Sequence, residues 1–280
     1  MSRRKTELDG KTWARYSISI WSELQKDGEE RKLKHPAMFP KMLPGRLIEV
    51  FTARGDLVLD PFAGTGSTLL AAYSLGRRSL GLEISEEFVR LMKDRLARQA
   101  LFTGNIEYQS PVHQAVPPEK REYYPPEIIH DCARNLQNHL EPGSVSLCVT
   151  SPPYWNILGQ RRTADQKASR DYGNTEGDLS LIGDYRTFIR TLGEIFAQVY
   201  AVLKTGGYNV VNVMDLRKGA DFYPLHIDLA QELCRKGYVL DDIIIWDRRK
   251  DYNYLRPLGY PYVFRVNKVH EFLLIFQKRG

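Results

Sequence analysis

The run Thr150-Ser151-Pro152-Pro153-Tyr154-Trp155 brings a hydroxyl, a stiffened backbone and two aromatic rings together on consecutive residues. It follows an apolar stretch, residues 144–149, that reads as a buried strand. Two consecutive prolines stop such a strand and stiffen what comes next. The hydroxyl and both rings are therefore presented at the strand's carboxyl end, where a ligand can be gripped. The plain alternative is a Pro-Pro turn that caps a core strand.

A second constellation, Asp60-Pro61-Phe62-Ala63-Gly64-Thr65-Gly66-Ser67-Thr68, sits between a predicted strand over 56–60 and a predicted helix over 67–75. Gly64 and Gly66 let backbone approach a ligand closely, and the helix N-terminus offers free N–H groups. Such a turn can hold a nucleotide. It is not a phosphate-binding P-loop, because no Gly-Lys-Ser/Thr follows, and Leu69 stands where a dinucleotide fingerprint needs its third glycine. The next predicted strand, 78–83, ends in Glu83, where an acid can accept both ribose hydroxyls.

These residues need a scaffold, and strand and helix signals alternate in the way that builds a parallel sheet covered by helices. Helical spacing continues from Ser85, an N-cap, to about residue 98. Prolines break the pattern over 100–127, which reads as a linker. Order resumes with a strand over 128–131 that ends in Asp131, then a helix over 133–140. A loop is predicted over 156–183. The longest amphipathic helix runs over 184–203, with Gly206-Gly207 as its C-cap. Strands over 208–214, 240–246 and 271–276 and a helix over 225–235 complete the pattern.

The chain has 280 residues, enough for a large core, with a mild basic excess of +6. Cys132, Cys148 and Cys234 form no metal-binding spacing; Cys148 and Cys234 are expected as buried thiols in a reducing compartment. No apolar run approaches membrane-spanning length, so a cytoplasmic protein with no membrane contact is expected.

The Ser-Pro-Pro-Tyr-Trp run and the Asp-Pro-Phe-x-Gly-Thr-Gly turn together resemble the DNA methyltransferases that modify exocyclic amino groups. Those enzymes carry Asp, Asn or Ser, then Pro-Pro, then an aromatic; Ser followed by Tyr-Trp is most typical of cytosine-N4 modification methylases. The resemblance implies an α/β, Rossmann-like class I methyltransferase fold: a mostly parallel seven-stranded sheet with helices on both faces. It implies S-adenosylmethionine as cofactor and no metal. In that frame Asp60 faces the amino acid end of the cofactor and Phe62 lies in the turn beside it. Gly64 and Gly66 let backbone pass beneath, Glu83 holds the ribose, and Asp131 accepts from the adenine amino group. The segment His35-Pro36-Ala37-Met38-Phe39-Pro40 leads into a helix over 43–51, and Phe39 and Pro40 pack across the methionine end.

The same resemblance makes Ser151 Oγ and the Pro152 carbonyl the acceptors for the two N–H bonds of a flipped base, with Pro153 stiffening the loop. Tyr154 stacks on that base, and Trp155 walls its pocket. The domain plan is an N-terminal extension over 1–34 and a methyltransferase domain over 35–280. The domain divides into a cofactor half (35–99), a linker (100–127) and a catalytic half (128–280). The commonest family order puts the catalytic half first, so this order is circularly permuted, with no large separate target-recognition domain. Reading of double-stranded DNA then falls to loops. Arg161 and Arg162 in one, and Arg248, Arg249 and Lys250 among the tyrosines of another, suit phosphate contact and base stacking. A cognate restriction endonuclease acting separately is the implied partner.

Other readings stay open at this point. Adenine N6 is an alternative target, and so is a base in RNA. A nicotinamide oxidoreductase fits the glycine turn and Glu83 but leaves Ser-Pro-Pro-Tyr-Trp unexplained. A catalytically silent nucleic-acid-binding module leaves the intact motifs without use.

Overall fold

Neighbouring residues of the central strands face opposite ways, and the sequence supplies apolar side chains in both directions. The computed structural model describes residues 7–33, 38–101, 122–157, 177–251, 255 and 257–280. Its elements begin with α1 (Gly10–Tyr16), β1 (Ile20–Trp21), α2 (Gly28–Lys32) and α3 (Met42–Phe51). Next come β2 (Leu57–Asp60), α4 (Ser67–Ser74), β3 (Arg78–Glu83), α5 (Glu86–Leu101), β4 (Glu127–His130) and β5 (Val145–Thr150). The chain continues with α6 (Tyr185–Val202), β6 (Leu203–Val213), β7 (Leu216–Lys218) and β8 (Asp221–Tyr223). It ends with α7 (Leu225–Arg235), β9 (Val239–Asp247) and β10 (His270–Gln277).

The sheet order is β1-β9-β10-β6-β5-β2-β3-β4. All pairings are parallel except those of β10 with β6 and with β9. Val58, Leu147, Val149, Val210, Leu273 and Ile275 pack on one face against Leu43, Leu47 and Ile48 of α3. Leu59, Cys148, Val211, Leu274 and Phe276 pack on the other against Phe188, Leu192, Phe196 and Val199 of α6. Strands buried on both faces are what a helix-covered parallel sheet requires.

This is a Rossmann-like class I methyltransferase architecture, as expected, with an eighth strand added. The seven predicted strands are joined at the edge by two-residue β1, where Ile20 and Trp21 pair with Ile245 and Trp246. The N-terminal extension is thereby built into the core. Trp21 is buried, its Nε1 donates to the Tyr16 carbonyl at 3.1 Å, and the Arg46 guanidinium lies 4.6 Å from its ring and 4.4 Å from that of Tyr16.

Three local expectations are corrected. Gly206 and Gly207 do not cap α6, which ends at Val202; they lie inside β6, bonded to Lys278 at 2.8 and 3.0 Å. A Cβ on Gly207 would sit 3.1 Å from the Ser146 carbonyl, so the glycine serves close strand approach. The predicted helix after Asp131 is a 3-10 turn, Ala133–Asn138. Cys234 is exposed, because it falls just past Leu233 on the apolar stripe of α7; Cys148 is buried. Among the described residues, no helix is long and apolar enough to cross a membrane.

Candidate active site

Strand β2 ends in Asp60, which is 1% exposed and spends both carboxylate oxygens internally. Oδ1 accepts from Thr150 Oγ1 at 2.6 Å and from the Phe62 amide at 3.1 Å; Oδ2 accepts from Thr68 Oγ1 at 2.7 Å. Asp60 thus knots β2 to the start of α4 and to the last residue of β5, the one before Ser151. Burial pushes its carboxyl up to about 6. The sequence reading turned Asp60 toward a ligand; the structure turns it inward, because two threonine hydroxyls surround it.

The glycine turn then passes Gly64, φ +52°, whose amide donates to Glu83 Oε2 at 2.7 Å. Glu83 Oε1 accepts from the Ser85 amide at 2.8 Å. Burial raises the Glu83 carboxyl above its ordinary value, and the two amides oppose that rise. Each oxygen keeps a lone pair for a further donor. Gly66, φ +82°, caps α4, and a Cβ there would meet Met92 Cγ at 2.5 Å. Its missing side chain makes room for α5 as well as for the turn.

A cleft opens at the carboxyl ends of β2, β3, β4 and β5, where the crossovers diverge to either side of the sheet. Its wall includes Phe39, Phe62, Glu83, Asp131, Ser151 and Pro152. Three carboxylates line it, those of Glu83, Asp131 and Asp178, and among the described residues no Lys or Arg does. An acidic, largely apolar cleft with a carboxylate that keeps lone pairs for further donors suits a cationic nucleoside such as S-adenosylmethionine. Phe39 lies on the wall, and its carbonyl accepts from Ser67 Oγ at 3.1 Å; Pro40 is buried behind it, and His35 and Pro36 lie outside the described residues.

Asp131 follows β4. Its Oδ1 accepts from the Cys132 amide and Asn135 Nδ2, each at 2.7 Å, and Oδ2 meets His139 Nε2 at 2.8 Å. His139 and Asn135 hold the carboxyl below its usual range. Most of its accepting capacity stabilises the turn it opens.

Ser151 leaves β5 with its hydroxyl donating to the Asn212 carbonyl at 3.0 Å, and Pro152 and Pro153 continue the cleft wall. The two aromatics then turn away from it. Tyr154 is 7% exposed, in the core, and donates to Glu271 Oε2 at 2.9 Å. Trp155, φ +43°, is 3% exposed. Its Nε1 donates to the Ile182 carbonyl at 2.7 Å, and its ring meets Tyr185 and Tyr223 edge-on at 5.3 and 5.0 Å. A left-handed backbone at a bulky residue is strained, and these contacts hold it. The expectation of exposed stacking rings is therefore corrected: both are buried, Tyr154 by a carboxylate and Trp155 by an aromatic cage.

The described residues between β9 and β10 stand at the rim, at the same end of the sheet as the cleft, since β9 runs parallel to β5. Arg248 is not a free cation there. It pairs with Glu271 and with Asp251 (3.0 Å) and lies 4.8 Å from the Trp246 ring. Arg249 pairs with Asp247 at 2.6 Å, whereas Lys250 is exposed. Tyr260, Tyr262 and Phe264 stand out at 79, 93 and 89% exposure. Arg161 and Arg162 lie outside the described residues.

Sequence reasoning missed Glu271, Asn212 and Asp178. The first two carried a signal: an acid opens the apolar strand 271–276, and an asparagine interrupts the apolar run of β6. Polar groups in buried strands need partners: Glu271 takes the Tyr154 hydroxyl and the Asn212 side-chain amide, while Ser151 bonds the main-chain carbonyl of Asn212. Among the described residues no cluster of His, Cys, Asp and Glu is arranged to hold a metal ion.

The model of the N6_N4_Mtase family, DNA methylase, matches residues 2–94 and 145–280. The Type II methyltransferase M.MthZI of Methanothermobacter thermautotrophicus is 38% identical over 91 residues, 31% of this chain. The Type II methyltransferase M2.DpnII of Streptococcus pneumoniae is 38% identical over 78 residues, 28% of this chain. The chain spans 26% and 29% of the length of these two relatives. The structure of precorrin-6y C5,15-methyltransferase from Geobacter metallireducens GS-15 covers 91% of this chain and 98% of its own at 13% identity, with a TM-score of 0.51, a likeness of fold.

Proposed function

The chain belongs to the N6_N4_Mtase family of DNA methylases, and we propose that it transfers a methyl group from S-adenosylmethionine to the exocyclic N4 amino group of cytosine within a specific DNA sequence, as the modification methylase of a restriction-modification system. The observation that carries this reading is the polarity of the Ser151 hydroxyl. Its proton is given to the Asn212 carbonyl at 3.0 Å, so Oγ has only lone pairs to offer the cleft. A group fixed as an acceptor suits an amino donor.

An aromatic amino group is a poor nucleophile, because its lone pair is delocalised into the ring. Ser151 Oγ and the Pro152 carbonyl accept its two N–H bonds, the nitrogen pyramidalises, and its lone pair turns toward the methyl donor; the N–C bond forms as the S–CH3 bond breaks, and the surplus amino proton then leaves to solvent. Pro153 keeps the carbonyl aimed. When bound, S-adenosylmethionine supplies an electrophilic methyl group on a sulfonium centre. Glu83 accepts from its ribose hydroxyls, Phe39 and Phe62 cover it, and Pro40 backs Phe39. Gly64 leaves room for it, while Asp60, Gly66 and Asp131 hold the frame. Rate comes from proximity and from acceptors already oriented. A hydroxyl accepts more weakly than a carboxylate, and family usage of Ser-Pro-Pro-Tyr-Trp points to cytosine N4.

Double-stranded DNA meets the rim, where Lys250 contacts phosphate and Tyr260, Tyr262 and Phe264 stack on bases. The target base leaves the helix to reach Ser151. Residues 35–99 supply most of the cofactor's contacts, and 128–280 serve the target and complete the outer wall of the cofactor cleft. The test is incubation with methyl-labelled S-adenosylmethionine and genomic DNA, digestion, and identification of the labelled nucleoside. N4-methylcytosine is expected; N6-methyladenine alone moves the target base, label in RNA but not DNA moves the polymer, and no transfer to either overturns the reading.

A further inference from the structure

One carboxylate on the cleft wall has no role in the chemistry above. Asp178 opens the 3-10 turn Leu179–Leu181 and is 7% exposed. Its Oδ1 accepts from the Ser180 amide at 2.8 Å; its Oδ2 is buried and has no hydrogen-bond partner among the described residues. A buried carboxylate oxygen without a donor is destabilising, and its survival at a cleft wall calls for a donor that arrives with the ligand. No Lys or Arg of the described wall supplies one.

Its place in the cleft selects that donor. Gly177, the residue before it, fits against the ends of β3 and β4. A Cβ there would lie 3.2 Å from Cys132 Sγ and 3.5 Å from Ile84 Cδ1, and its carbonyl accepts from Cys132 Sγ at 3.9 Å. Ile84 follows Glu83, and Cys132 follows Asp131. Asp178 therefore stands at the outer end of the cleft, on the far side of Glu83 from β5. A nucleoside whose ribose is held by Glu83 puts its base there. Asp131, on the same wall, has already placed three hydrogen bonds within the fold.

We propose that Asp178 Oδ2 accepts an N–H of the exocyclic amino group of the cofactor's adenine, and so makes the cleft selective for adenosyl over inosyl ligands. The proposal rests on the reading of the cleft as the S-adenosylmethionine site. A 6-amino purine presents a donor to the carboxylate. A 6-oxo purine presents an oxygen, which the negative charge repels.

The test is calorimetric binding of S-adenosylhomocysteine and S-inosylhomocysteine to the full chain and to two variants. Asp178→Asn keeps Oδ1 for the Ser180 amide and replaces Oδ2 by an NH2 donor. Asp178→Ser keeps a short capping oxygen and withdraws the second acceptor. The unaltered protein should prefer the adenosyl ligand by about ten- to a hundredfold, the range for a hydrogen bond to a charged group. Asp178→Asn should weaken the adenosyl ligand and improve the inosyl one, collapsing the ratio; Asp178→Ser should weaken the adenosyl ligand alone. An unchanged ratio overturns the proposal, whether both ligands weaken together, as for a mere turn cap, or turnover falls without a change in either, as for an acceptor facing the target base. Failure of the unaltered protein to bind either ligand overturns the cofactor reading itself, and this proposal with it.

Discussion

Tyr154 donates its phenolic hydroxyl to Glu271 Oε2 at 2.9 Å, across 117 positions of sequence. Glu271, buried at the start of β10, also accepts from Asn212 Nδ2 at 2.5 Å and from Arg248 Nη1. The main-chain carbonyl of Asn212, a separate group from that side-chain amide, takes the proton of Ser151. One carboxylate thus gathers Tyr154, the Asn212 side chain and Arg248, while the Ser151 hydroxyl is oriented separately, by a main-chain carbonyl of β6.

Tyr154→Phe isolates the first of these contacts. The ring stays, and Glu271 loses one of its donors in a buried site. Unfolding in urea should show a loss of about 1–3 kcal/mol, and turnover should fall roughly tenfold as the loop loosens. A ring that served only to stack on a base would work equally well as Phe, leaving stability and turnover where they were.

The rim cations should separate by role. Arg248→Ala breaks a largely buried pair with Glu271 and should cost about 2–4 kcal/mol of stability, below the fully buried figure because Arg248 is partly exposed. Lys250→Ala should leave stability within about 0.5 kcal/mol yet lower the salt slope of DNA binding by about one unit. Arg249→Ala should change the slope less, because Asp247 already neutralises it. Fluorescence anisotropy over a salt series reads the slopes. Equal slopes for Lys250→Ala and the unaltered protein would make Lys250 a solvated charge and nothing more.

What the sequence made legible was local. The glycine turn, Glu83 and Ser151-Pro152-Pro153 announce themselves because strand ends, turns and a stiff loop are set by neighbours in the chain. The fate of Tyr154 and Trp155 was not legible, because it depends on Glu271 and on Ile182, Tyr185 and Tyr223, which only the folded sheet brings near. The basic character of the β9–β10 segment was visible, but Glu271 and Asp247 neutralise two of its three leading charges, Arg248 and Arg249. Strand β1 escaped notice because two residues carry no periodicity.

Glu83→Gln should weaken S-adenosylhomocysteine binding by about ten- to a hundredfold. Both Glu83 oxygens accept backbone amides, from Gly64 and Ser85. In the amide variant one acceptor becomes a donor and must face an N–H. The ribose then loses an acceptor, and the glycine turn loses its anchor. Calorimetry with unchanged affinity in a folded variant would remove Glu83 from the site.

Asp60 predicts a pH dependence of stability. Its carboxyl titrates at about 6 in the fold, against about 3.9 in an unfolded chain. Because the folded value is raised, its contribution is full below about pH 4 and is lost as pH rises through 6, a swing of about 3 kcal/mol. The stability of the unaltered protein minus that of Asp60→Asn should fall across this window and level off above it. Taking the difference cancels Glu49, whose carboxyl burial pushes up to about 7. A difference that stays flat from pH 4 to 8 in urea titrations would mean Asp60 is ionised throughout.

Ser151→Ala gives the sharpest separation of binding from chemistry. The variant keeps β5 and both prolines, and it leaves the Asn212 carbonyl short of one donor, a stability cost of about 1 kcal/mol. S-adenosylhomocysteine should bind nearly as before, since Glu83 and the glycine turn are untouched. Turnover should fall roughly a hundredfold or more, because one of two preoriented acceptors for the amino group is gone. The methylated product of the unaltered protein should be N4-methylcytosine, and no Pro-Cys pair is present to attack a ring carbon. N6-methyladenine as the sole product would keep Ser151 as acceptor and change only the base. Full activity in Ser151→Ala, or 5-methylcytosine as product, would show that the amino group is not activated by hydrogen-bond acceptors at this loop, and the mechanism would fall with it.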